Sequence, residues 1–150
     1  MNRALVLLLI PILLLGACND EKSPTKPEPE PHDYAGVFFI EYSLESSDCS
    51  FPMPPHETII TISITGNDIT FGGTTGTWDE DLKRGYGTST RTCIPIPTPP
   101  GCTSCFTYSF DITYSSTDRF EGTFDIVYDH SPECSADDCT AEYTITGERN

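Results

Sequence analysis

The chain has 150 residues, with 23 Asp and Glu against 8 Lys and Arg, for a formal net charge of −15 at pH 7. That balance excludes sequence-independent nucleic-acid binding and adsorption to anionic lipid, since both need Lys and Arg to neutralise phosphate. The length suits a single domain of ordinary size.

The first element is an apolar run over residues 4–15, preceded by Arg3 and broken by Pro11. It is shorter than the ~20 residues that a membrane-spanning helix needs. It ends in Leu15-Gly16-Ala17-Cys18, small residues directly before a cysteine. This layout resembles the signal peptide and lipobox of bacterial lipoproteins. The resemblance implies removal of residues 1–17, lipidation of Cys18 by palmitate-like chains, and a membrane partner reached through that anchor. It places the protein in the cell envelope, at the outer membrane facing periplasm or surface, or at the inner membrane. Residues 18–33 follow as a Pro- and Glu-rich tether, in which Pro24, Pro27, Pro29 and Pro31 forbid helix. Residues 34–150 are left for one folded domain.

Within that domain the hydrophobic period is two, not 3.6. Residues 36–44 are apolar on both parities. Ile60, Ile62 and Ile64 alternate with polar residues, and the Gly66-Asn67 turn leads into a short strand at 68–71. Residues 76–82 and 85–93 read as weaker, glycine- or threonine-rich strands. The clearest alternation covers 106–114, 120–128 and 141–146, each with one face for a core and one for water. The connections 45–57, 94–104 and 129–139 are long and rich in Pro, Cys and acid. Eight strands in an antiparallel meander put these three connections at one end. The predicted fold is therefore all-β, an eight-stranded up-and-down barrel or, alternatively, a two-layer β-sandwich.

Six cysteines, Cys49, Cys93, Cys102, Cys105, Cys134 and Cys139, fall in or beside those long connections. An even count in an exported chain predicts three disulfides rather than a zinc site, although Cys102 and Cys105 have CxxC spacing. A local Cys134–Cys139 bridge is expected, with the other four pairing among themselves.

The exported, acidic, eight-strand pattern resembles the small lipocalin-like barrels carried by bacterial lipoproteins. Arg149 on the last strand matches the barrel-closing arginine of that family. The family's Gly-x-Trp triplet belongs on the first strand, whereas here Gly76-Thr77-Trp78 stands later and the first strand has Gly36-Val37-Phe38. No ligand residues carry over. An interior lined by Tyr108, Phe110, Tyr114, Phe124, Tyr128 and Tyr143 is the candidate ligand site.

No nucleophile elbow, phosphate loop, HExxH or dinucleotide fingerprint is present, so no catalytic residue and no enzyme activity are expected. His56 and His130, with Glu133, Asp137 and Asp138, read as ordinary loop residues rather than metal ligands, and no cofactor or metal is expected. The function expected is a membrane-anchored, non-enzymatic binding or structural module with an envelope protein or polymer as partner, and no nucleic acid. The alternative is a small-molecule carrier holding an apolar ligand inside the barrel.

Overall fold

The computed structural model describes residues 32–50, 56–97 and 99–150. The expectations for the apolar run, for Cys18 and for nearly all of the tether lie outside the described residues. Nine strands form one sheet: β1 (Gly36–Ser47), β2 (His56–Thr65), β3 (Asp68–Phe71), β4 (Thr74–Asp79), β5 (Arg84–Thr88), β6 (Thr92–Pro95), β7 (Thr103–Ser116), β8 (Arg119–His130) and β9 (Cys139–Arg149). Every pairing is antiparallel, in the order β5-β4-β3-β2-β1-β9-β8-β7-β6, and β5 also pairs with β7.

Nine strands replace the expected eight because the stretch 85–93 is two strands. Ser89 breaks it. Its backbone N–H donates to the Tyr108 carbonyl at 2.8 Å, and its hydroxyl accepts from the Tyr108 N–H at 2.9 Å. A side chain thus takes the place of a backbone acceptor and the ladder stops. β5 and β6 lie end to end along the same edge of β7, opposite residues 109–113 and 103–106.

The expected barrel is overturned by the same pairings. Eight strands hydrogen-bond in a ring, β1-β2-β3-β4-β5-β7-β8-β9, with β6 outside it. Among the described strands the wall is complete at the short-turn end only. β3 meets β2 only at residues 62–65. The β3–β4 hairpin then reverses at Gly72 and Gly73, whose φ values of 54° and 91° suit glycine and few other residues. Residues 56–61 of β2 pair with β1 on one side and with no described strand on the other. Among the described strands β6 likewise has only β7 as neighbour. Two sheet edges therefore flank a gap, and neither an eight-stranded barrel nor two separate sandwich layers describes this single sheet.

The closed end holds the tightest packing. Phe38, Ile40, Ile62, Ile69, Ile112 and Ile145 are almost wholly buried there. Trp78 and Tyr114 cap this core under Tyr34, with ring centroids 5.2–5.7 Å apart. His32, within the stretch 18–33 expected as tether, contacts Glu80 at 2.8 Å, and Trp78 Nε1 donates to the same carboxylate oxygen at 2.7 Å. Arg149 clamps the end rather than closing a barrel. Its guanidinium donates to the carbonyls of Asp33, Ala35 and Thr117 and to the Asp118 carboxylate, over the Phe38 ring.

All six cysteines are paired, as Cys49–Cys139, Cys93–Cys105 and Cys102–Cys134. The local Cys134–Cys139 bridge is corrected. Cys139 starts β9 and is buried against the segment after β1, where Asp48 and Thr140 exchange hydrogen bonds of 3.2 and 2.6 Å. Cys134 turns instead to the loop before β7, held by the Ser131 N–H to Thr103 carbonyl bond of 2.9 Å. The CxxC cysteines part company because Cys105 stands directly opposite Cys93 across the β6–β7 ladder, while Cys102 precedes the strand.

Candidate functional site: an aromatic cleft beside the gap

Alternation along β7 and β8 sends one parity inward: Phe106, Tyr108, Phe110, Ile112 and Tyr114, paired with Tyr128, Ile126, Phe124, Gly122 and Phe120. Near the closed end this parity is covered, and Phe110 is only 3% exposed. Toward the cystine end the same parity emerges except at Ile126, which stays buried. Phe106, Tyr108, Phe124 and Tyr128 are half-buried, as is Ile60 on β2. The short β3–β4 hairpin leaves this part of the interior without a facing strand among the described residues.

The rings form a continuous row. His56 stacks on Tyr42 at 4.2 Å, Tyr42 meets Phe124 at 5.2 Å, Phe124 stacks on Tyr108 at 5.6 Å, and Tyr108 meets Phe106 at 5.2 Å. Phe106 contacts Tyr128 at 6.5 Å. Such offset and edge-on contacts stabilise the row beyond its buried area. Burial pushes the Tyr42 hydroxyl up to about 12 and raises those of Tyr108, Tyr128 and Tyr143, so the phenols stay neutral hydrogen-bonding groups.

Of the candidate ligand residues, the structure brings Tyr108, Phe124 and Tyr128 to this row. Phe110, Tyr114 and Tyr143 are buried. Phe110 stacks on Phe71 at 4.9 Å, Tyr114 packs on Trp78 and Phe120, and Tyr143 lies under Tyr42 and His56. Sequence reasoning missed Phe106, Tyr42 and His56. Phe106 shares its parity with Tyr108, which was a usable signal. Tyr42 and His56 become neighbours only through the β1–β2 register, which no local pattern carries.

The surroundings are acidic. Arg84 forms a two-bonded pair with Asp111, which holds that carboxyl below its usual range. Arg91, Arg119 and Arg149 are paired to Asp129, Glu148 and Asp118. Among the described residues Asp and Glu still outnumber Lys and Arg. On the outer face Glu41 stands directly opposite Glu57, and Asp125 directly opposite Glu142. Burial, and then the Glu142 charge, raise the Asp125 carboxyl. A surface cleft of about 380 Å³ beside the gap is lined by Glu41, Tyr42, Ser43, His56 and Glu57.

His56 and His130 sit on β2 and β8, separated in the sheet by β1 and β9. The His130 ring reaches the Ser104 hydroxyl at 3.3 Å, and Asp138 accepts from the His130 backbone N–H at 2.6 Å. Ser104 and His130 are direct cross-strand partners, and that hydroxyl is buried. Asp48, Cys49 and Cys139 come close enough to hold a metal ion, but the two sulfurs are joined in a disulfide and offer no thiolate.

Among the described residues no helix is long and apolar enough to cross a membrane. No family model, curated protein or solved structure matches the chain. The lipocalin-like barrel of the lipoprotein resemblance is overturned, because the described sheet has nine strands and an incomplete wall and no compared family supports it, while residues 15–18, which carry the lipobox reading, lie outside the described residues.

Proposed function

We propose that this domain is a non-enzymatic binding module of an oxidising, extracytoplasmic compartment, with the cell envelope as its location. The observation that carries the binding role is the half-buried aromatic row beside a gap in the wall, an apolar surface that a partner would cover. Three cystines in so small a domain support the compartment.

A photo-crosslinking phenylalanine analogue placed at position 108 tests the role in native envelope. Adducts are expected from position 108 and not from position 123, which points outward on β8. Equal labelling from both positions would overturn the reading. Fractionation, with the mass of the N-terminal peptide, checks the location and any membrane contact through Cys18.

A further inference from the structure

We propose that the gap receives one extended strand of a partner polypeptide, added to the open edge of β2, with residues alternating between basic and apolar. The proposal rests on the binding-module reading and names the partner's chemistry.

Three observations converge on it. Residues 56–61 of β2 carry a ladder to β1 and meet no described strand on their other edge. A sheet edge is a template for an incoming strand, whose main chain supplies the hydrogen bonds. Ile60 on that strand, and Phe124 and Tyr108, which continue the row of rings from Tyr42 opposite His56, are half-buried. Side chains of one parity of an added strand would cover them. The other parity would point outward beside Glu57, which already faces Glu41 across the β1–β2 ladder.

Like charges directly opposite destabilise a sheet, and a cation placed next to them turns that cost into an attraction. The cleft lined by Glu41, Tyr42, His56 and Glu57 offers two carboxylates and a stacked ring pair, a setting suited to a Lys or Arg side chain. Outer-face carboxylates continue past it, since Glu41, Thr146 and Glu121 are in register across β1, β9 and β8. Charge complementarity therefore selects a basic strand. It disfavours a second copy of this chain, whose net charge is −15.

The test uses the full chain and a short synthetic peptide alternating lysine and valine. Two controls accompany it, one with glutamate in place of lysine and one with N-methylated amides on alternate residues. Binding of the lysine–valine peptide is expected, with amide shifts centred on residues 56–61. The glutamate and N-methylated peptides are expected to bind at least ~10-fold more weakly, as loss of charge pairing or of main-chain bonds requires. Glu57→Gln should weaken the lysine peptide by about threefold and lessen its salt dependence. Absence of binding at about 1 mM peptide, equal binding of the N-methylated form, or dimerisation of the chain through β2 overturns the proposal. If position 108 still crosslinks a ligand in native envelope, the binding-module reading stands without it.

Discussion

Phe38 and Phe124 both point to the inside of the same sheet, from β1 and β8, and their surroundings differ. Phe38 is 0% exposed, packed against Tyr114 and Phe120 in the closed end. Phe124 touches Tyr42 and Tyr108 and keeps part of its ring accessible. The closed end is held by burial, each large apolar side chain adding roughly 1.5–3 kcal/mol over an exposed one. At the other end the wall is incomplete and burial is poorer. There three cystines tie β1 to β9, β6 to β7, and the loop before β7 to the loop after β8. Covalent closure supplements the core where the described wall is incomplete.

The largest test of that division removes the longest-range staple. Cys49→Ser with Cys139→Ser opens a loop with a sequence separation of 90. A loss of about 4–5 kcal/mol is expected from the chain-entropy relation. The Cys93–Cys105 pair spans a separation of 12, and its removal is expected to cost about 3 kcal/mol. Denaturant midpoints measure both, and equal losses would deny the first bridge its long-range role.

Next comes the core itself. Phe38→Ala is expected to cost about 3–5 kcal/mol, and Phe124→Ala about half as much because part of its ring already meets water. Equal costs would mean that the cleft is as well packed as the closed end. Gly73→Val acts on the hairpin that ends the wall. A β-branched side chain at φ 91° is expected to cost about 1–2 kcal/mol, with faster hydrogen exchange confined to β3 and β4.

The smallest effect is electrostatic. The Asp125 carboxyl is raised in the folded state, so the folded chain holds that proton more tightly than the unfolded chain. The resulting destabilisation is present when Asp125 is charged and is relieved as pH falls through its raised folded value. Asp125→Asn is therefore expected to stabilise at pH 7 by a few tenths of a kcal/mol, the scale of one like-charge cross-strand pair. Melting curves should show that gain disappearing at acid pH. A gain that persists there would assign the effect to packing.

The long strands were readable from residue order alone. Residues 106–114 and 120–128 alternate because one face is buried along most of their length, and period two survives wherever that holds. The half-burial of Tyr108 and Phe124 was not readable, because it depends on how far a different hairpin extends. Gly72-Gly73 is a local signal for a turn, but its consequence, residues 56–61 with no described strand on one side, exists only once β2 and β3 are in register. The split at Ser89 was hidden for a similar reason. A serine in a threonine-rich run breaks a ladder only if its hydroxyl finds a backbone donor on the neighbouring strand. Cysteine count and clustering indicated bridges, while pairing depended on which strand ends the sheet brings together.

The Arg149 clamp bears on how this domain would carry force. Tension entering at Asp33 meets the guanidinium before it reaches β1, and passes to β9 and to the turn between β7 and β8. Load is thus shared among several strands at the end farthest from the cleft. The proposed binding surface would then be mechanically insulated, its shape set by the sheet and its cystines rather than by a pull at Asp33.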